Sequence, residues 1–208
     1  MKKLLLPFLS VSFCMLLLSS CGSGNVSVKQ QRDARTGIGG QEKAAIVLER
    51  YVKDGQRKDS GDKEEEIVDC LRRGMDTDGQ TIETITGSDF RTTLFPGMDY
   101  EREPRSPEAL LELLSKKEDV RERVLAMTVR YLIVVDIQTS SRRSIFRATV
   151  LDVKSRARAG ELSADATGRI GSNLPMLSLP EREACAGLGK AVYNFILSPE
   201  GPAPARTQ

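Results

Sequence analysis

The spacing of apolar positions changes several times along this 208-residue chain, and each change marks a different element. After Lys2 and Lys3, residues 4–18 are mostly apolar, are interrupted by Pro7, Ser10 and Ser12, and give way to Ser19, Ser20 and Cys21. A membrane-spanning helix needs about 20 apolar residues, so this shorter run, flanked by charge and then by small residues, predicts a secretory signal peptide over 1–20. Residues 22–41, GSGNVSVKQQRDARTGIGGQ, hold five glycines and no sustained period. They read as a flexible tether over 21–42, with a mean reach of about 25 Å. The proline-rich end SPEGPAPARTQ has little to bury, and a disordered tail is expected over 199–208.

Between these ends one domain is expected over 43–198, in which strand-like and helix-like stretches alternate. AAIVLERYV, Ala44 to Val52, is a compact β-prone run taken as the first strand, followed by the polar loop KDGQRKDSGD. DKEEEIVDCLRRGM then sets Ile67, Val68, Cys70, Leu71, Gly74 and Met75 on one helical face, with acids in the first turn and Arg72 and Arg73 in the last. TIETIT alternates as a short strand, and a turn or two of helix follows at SDFRTTLF. After GMDYEREPR, Ser106 is a candidate N-cap with Pro107 at the first helical position, and Leu110, Leu111, Leu113 and Leu114 give the helix a broad apolar face. A second helix, EDVRERVLAMTV, follows almost at once.

The clearest strands come next: Tyr131 to Thr139, Ser144 to Lys154 and Ala159 to Gly168. Only SSRR separates the first two, which predicts an antiparallel hairpin. Ser178-Leu179-Pro180-Glu181 has capping-box spacing and opens a C-terminal amphipathic helix with Cys185, Leu188, Val192 and Phe195 on its buried face. The order β α β α α β β β α predicts an α/β two-layer sandwich: a mixed sheet of about five strands with helices mainly on one face.

Charge and chemistry narrow the function. The chain carries 31 Lys+Arg against 29 Asp+Glu, and Lys2 and Lys3 account for the difference, so residues 21–208 are electrically balanced. A nucleic-acid partner loses its support. Histidine is absent, which excludes Ser-His-Asp and Cys-His catalysis and His-ligated zinc. Carboxylate or Ser-Lys hydrolysis stays open as the alternative to a non-enzymatic role. GLGK, Gly187 to Lys190, lacks the first glycine of a phosphate-binding loop and lies within a predicted helix, and DTDG, Asp76 to Gly79, lacks the later ligands of a calcium loop. No cofactor and no metal site is expected.

Three sets of residues remain as candidates. Cys70 and Cys185 lie on apolar helical faces in a chain read as exported; they are either two buried thiols or a disulfide closing a long loop. Phe95, Asp99 and Tyr100, around the proline and glycine of LFPGMDY, form either a binding loop or packing. Ser140-Ser141-Arg142-Arg143, the hairpin tip, is either solvated charge or a contact for acidic lipid or polymer.

Leu18-Ser19-Ser20-Cys21 resembles a bacterial lipobox, which implies cleavage before Cys21 and lipidation of its thiol. The order of that box, a polar leash, EIVDCLRRGM, RYLIVVDI, VLDVKSRARAGE and a final amphipathic helix resembles periplasmic lipoproteins of the curli-secretion type. These share an α/β fold with the N-terminal domain of the Tol-Pal translocation protein. The resemblance implies an envelope lipoprotein that binds or scaffolds an envelope protein or cell-wall partner, held to a membrane through its N-terminal lipid. Gly22 and Ser23 after the lipid cysteine, with no aspartate, imply the outer membrane facing the periplasm. A pore is not implied, because the chain has no pair of long extra strands of about 9–11 residues.

Overall fold

The computed structural model describes residues 25–58, 61–77, 80–98, 102–168 and 177–198. The predicted signal peptide, Cys21, Asp99, Tyr100 and the predicted tail lie outside these residues.

The strands are β1 (Asn25–Arg32), β2 (Lys43–Lys53), β3 (Gln56–Arg57), β4 (Asp76–Thr77), β5 (Gln80–Thr81), β6 (Thr84–Ile85), β7 (Val129–Thr139), β8 (Arg143–Asp152) and β9 (Ala157–Thr167). The helices are α1 (Gly61–Met75), α2 (Gly87–Leu94), α3 (Pro107–Lys116), α4 (Glu118–Ala126) and α5 (Leu179–Leu197). Among the described residues the main sheet has seven strands in the order β1-β9-β8-β7-β2-β3, with β6 also on β2; β4 and β5 pair separately. β2 runs parallel to β7 and the β7-β8-β9-β1 pairs are antiparallel, so the sheet is mixed, as expected, and wider than five strands.

Two apolar layers explain the strand patterns. On one face α1 and α5 cover Ile46, Leu48, Tyr131, Ile133, Phe146, Val150, Leu162 and Ala164. On the other, α2, α3 and α4 cover Ala45, Val47, Val129, Leu132, Val134, Leu151 and Val153. Strands buried on both faces carry unbroken apolar runs, and Ala44 to Leu48 and Tyr131 to Val135 are buried at every position. β9 alternates instead, with Leu162, Ala164 and Ala166 inward and Glu161, Ser163 and Asp165 outward. The mixed α/β architecture thus gains a second, partial helical layer over the β2–β7 side only.

The tether reading needs correction. Residues 25–32, taken as leash, pair along their whole length with β9, from Asn25 opposite Thr167 to Arg32 opposite Gly160. NVSVKQQR is exposed at nearly every position and supplies only Val26 and Val28 as apolar residues, so main-chain pairing rather than burial orders it. Beyond it, Arg32 Nη2 (2.8 Å) and the Thr36 hydroxyl (2.5 Å) donate to the Phe195 carbonyl in the last turn of α5, and the Arg32 guanidinium stacks 4.0 Å from the Phe195 ring. TIETIT is likewise not one strand: it divides between β5 and β6, because Ile82 turns into the α1–α5 core.

Other local expectations match. Ser106 caps α3, and its hydroxyl accepts from the Ala109 N–H. The Ser178–Glu181 capping box closes at the start of α5, where Glu181 also accepts a 2.7 Å bond from the Tyr51 hydroxyl of β2. Burial pushes the Glu181 carboxyl up, but the donors Tyr51 and Ser178 outweigh it and hold it below the usual carboxylate range. The β2–β3 connection puts Asp54 and Gly55 at φ 50° and 76°, the left-handed pair of a two-residue hairpin turn.

Candidate functional site

The second helical layer stops short of the β1 side, and the outward faces of β8, β9 and β1 beyond it stay open. At the boundary lies a groove of about 540 Å³ running from Pro107 and Glu108 at the start of α3, across Glu49, Asp136, Arg147, Thr149, Glu161 and Ser163, to Lys29 and Gln31 on β1. Its side chains come from five adjacent strands and one helix. Four carboxylates and two cations line it together with amides and hydroxyls, a wall suited to a polar ligand.

Asp136 is the fixed centre of this wall. Its side chain is largely buried and takes a 2.7 Å bond from Arg50 Nε and a 3.2 Å bond from Arg147 Nη1. A register shift between Leu48 and Arg50 interrupts the β2–β7 ladder at Glu49, an irregularity that re-aims side chains. Glu49 is half-buried, and no hydrogen bond or ion pair engages it among the described residues. Burial first, and then the nearby charges of Asp136 and Glu108, raise its carboxyl above the usual range. The groove therefore holds one carboxylate clamped by two guanidiniums beside a second with spare hydrogen-bonding capacity.

The charge cluster between the helices is of another kind. Arg91 of α2 donates to both oxygens of Glu64 in α1, at 2.6 and 2.9 Å, and pairs at 2.7 Å with Glu103. These side chains are less than a tenth exposed and tie α1, α2 and the approach to α3 together. Gly87 lies where a Cβ would collide with Glu64, Arg91 and the Ile46 carbonyl, so glycine makes room for the pair. None of these side chains lines the groove, and the cluster joins helices rather than facing it.

The residues singled out from sequence are dispersed. Phe95 ends α2, donates its N–H to the Arg91 carbonyl at 2.7 Å and packs, half-buried, against the second apolar layer. It lies away from the groove. Cys70 and Cys185 meet between α1 and α5 at disulfide distance, with Cα atoms 6.2 Å apart. Gly187 to Lys190 lies inside α5, Asp76 and Thr77 belong to β4, and Ser140 to Arg143 turns the β7–β8 hairpin.

Sequence reasoning did not find the groove, because no local word spells it. One signal was present: Glu49 and Asp136 are acids within the runs AAIVLERYV and YLIVVDIQT, on strands that prove to be neighbours.

No family model matches the chain, and no curated protein does. Among solved structures, the PelC dodecamer from Paraburkholderia phytofirmans is 12% identical, with 83% of this chain and 98% of that one covered and a TM-score of 0.47. TolB from Acinetobacter baumannii is also 12% identical, with 83% of this chain but 31% of that one covered and a TM-score of 0.38. Likeness at this level transfers no residue role and no partner.

Proposed function

We propose that this chain is a lipid-anchored binding or scaffolding protein of the bacterial envelope, attached through Cys21 and facing the periplasm from the outer membrane. On this reading the groove over β2, β7, β8, β9 and β1 is its ligand face, and a disulfide between Cys70 and Cys185 locks the helical layer behind it. The observation that supports it is the open sheet face, where polar side chains from five strands converge beside a layer that covers the rest of the sheet. The expected partner is an envelope protein or cell-wall component.

The test places a photoreactive residue at Ser163 in the groove and at Lys116 on the exposed side of α3, followed by illumination of intact cells. A discrete adduct from Ser163 and none from Lys116 supports the reading; equal labelling or no adduct from Ser163 refutes the groove as the ligand face. Cys21→Ser should move the protein from the membrane fraction to the released fraction, and its retention in membranes would count against lipid anchoring.

One observation favours a second reading, a carboxylate hydrolase: Glu49, whose carboxyl is raised, stands beside Asp136, which is clamped by Arg50 and Arg147. Glu49→Gln separates the two. A hydrolase loses bond cleavage with this variant, whereas a binding groove keeps its Ser163 adduct.

A further inference from the structure

The strand at residues 25–32 changes the geometry of attachment. Only Gly22, Ser23 and Gly24 separate Cys21 from Asn25, the first residue of β1. Four Cα steps span at most about 14 Å. A domain attached this way cannot stand clear of a bilayer, so one part of its surface must lie on the headgroups.

The register shows which part is nearest. Asn25 is opposite Thr167, Thr167 is opposite Arg143, and Lys53 is level with Thr139, so the start of β1, the β7–β8 tip and the β2–β3 tip share one end of the sheet. That end carries Lys53, Arg57, Lys58, Arg142 and Arg143, all exposed, against Asp54 and against Asp165, which pairs with Arg143. The helices α1 and α5 both begin there. The first turns of these helices bring acids as well: Glu64 is engaged by Arg91, Glu66 by Lys63 and the Leu177 N–H, and Glu181 by the Tyr51 hydroxyl, while Asp62 belongs to the same turn of α1, Glu65 is exposed and Glu183 is half-buried. Val26 and Leu179, two of the four large apolar residues exposed among the described residues, flank the same end.

We propose that this end of the sheet is a membrane-docking surface for anionic phospholipid, with Lys53, Arg57, Lys58 and Arg142 on the headgroups and Val26 and Leu179 at their boundary. The proposal rests on lipidation of Cys21. The short link holds this end at the leaflet, where the negative surface potential of anionic lipids attracts basic side chains. Docking on this end also leaves the groove on the side of the sheet, open to the periplasm.

The experiment reconstitutes the full, membrane-extracted protein in vesicles of phosphatidylcholine with or without phosphatidylglycerol. A fluorescent residue is placed at Ser141 in the β7–β8 tip or at Ser155 in the β8–β9 turn, about 30 Å away along the strands. Headgroup-labelled quencher lipid reports which end is near the bilayer. Quenching at least threefold stronger at Ser141 than at Ser155 in phosphatidylglycerol vesicles is expected, with the contrast abolished by Arg57→Glu, Lys58→Glu and Arg142→Glu together. These three side chains are exposed and none is an ion-pair partner of Asp165, and the circular dichroism of the triple variant is compared with the parent to establish that it folds. Equal quenching at both sites, stronger quenching at Ser155, or a contrast unchanged in the folded triple variant would overturn the docking surface. Mass spectrometry of the N-terminal peptide keeps the two failures apart: a peptide without lipid removes the anchor itself, and lipidated protein without the contrast removes only the orientation.

Discussion

Gly189→Ala puts the contact between α1 and α5 to a quantitative test. A Cβ at Gly189 would stand 2.5 Å from the Leu71 carbonyl oxygen and 2.9 Å from the Gly74 Cα, both main-chain atoms that no rotamer change can move. Ordinary contact begins at 3.4 Å, so the helices must separate by about 0.9 Å. A gap of 0.5–1 Å forfeits roughly a quarter to a half of the dispersion attraction between facing atoms. The interface concerned brings Ile67, Cys70 and Leu71 against Cys185, Leu188 and Val192, all buried. Overpacking of this kind costs about 1–3 kcal/mol. Alanine returns about 1 kcal/mol through helix propensity, so a net loss of about 2 kcal/mol is expected at the upper end of that cost. For a domain of this size that lowers Tm by about 4–8 °C. Urea denaturation followed by far-ultraviolet circular dichroism measures it, with Gly37→Ala as control, since nothing lies within 4 Å of a Cβ there. A Gly189→Ala protein as stable as the parent, or more so, would show that propensity outweighs packing and that the close approach is not required.

Three further outcomes follow from the same packing. Cys70 and Cys185 are 115 residues apart, so a bridge between them is worth about 4–5 kcal/mol on the chain-entropy treatment; denaturation midpoints with and without reductant, beside alkylation and mass spectrometry of the native protein, test it, and free thiols in periplasmic protein would rule the bridge out. Arg91→Ala removes the guanidinium that joins buried Glu64 to Glu103, leaving Glu103 the more distant Arg105 at 3.9 Å, and should cost about 3 kcal/mol, read as a lowered urea midpoint; a midpoint within error of the parent would refute it. Glu49→Gln should raise the midpoint at pH 7. The raised carboxyl binds its proton more tightly in the folded chain, so it favours folding below the ordinary carboxylate value of about 4.3, and that benefit is lost as the pH rises through its folded value. The gain from glutamine must therefore shrink as the pH falls through that folded value and be gone below about 4.3, and a gain independent of pH would refute the assignment.

Much of the architecture was legible because its causes are local. The face from Ile67 to Met75, the Ser106 and Ser178 caps and the alternation from Arg143 to Asp152 are written in residues three, four or two positions apart, and the structure places a helix, two caps and a strand there. The unbroken apolar runs around Ile46 and Ile133 announced strands but not that helices would cover both their faces, since burial on two sides depends on which elements arrive. β1 was hidden for a related reason: Asn25 to Arg32 carries little apolar surface, and its order comes from main-chain bonds to β9, more than a hundred residues later.

The groove lies furthest from the sequence. Lys29, Glu49, Asp136, Arg147 and Glu161 become neighbours only when β1, β2, β7, β8 and β9 take their order and register, and their exposure depends on where α2 to α4 stop. By itself the sequence determined most of the element types, the balanced charge, the absence of histidine chemistry and a lipobox-like start, since these depend on composition and short spacing. Only tertiary structure decided the width of the sheet, the meeting of Cys70 with Cys185, the short link before β1 and the open face, because each requires residues distant in the chain to be brought together by packing.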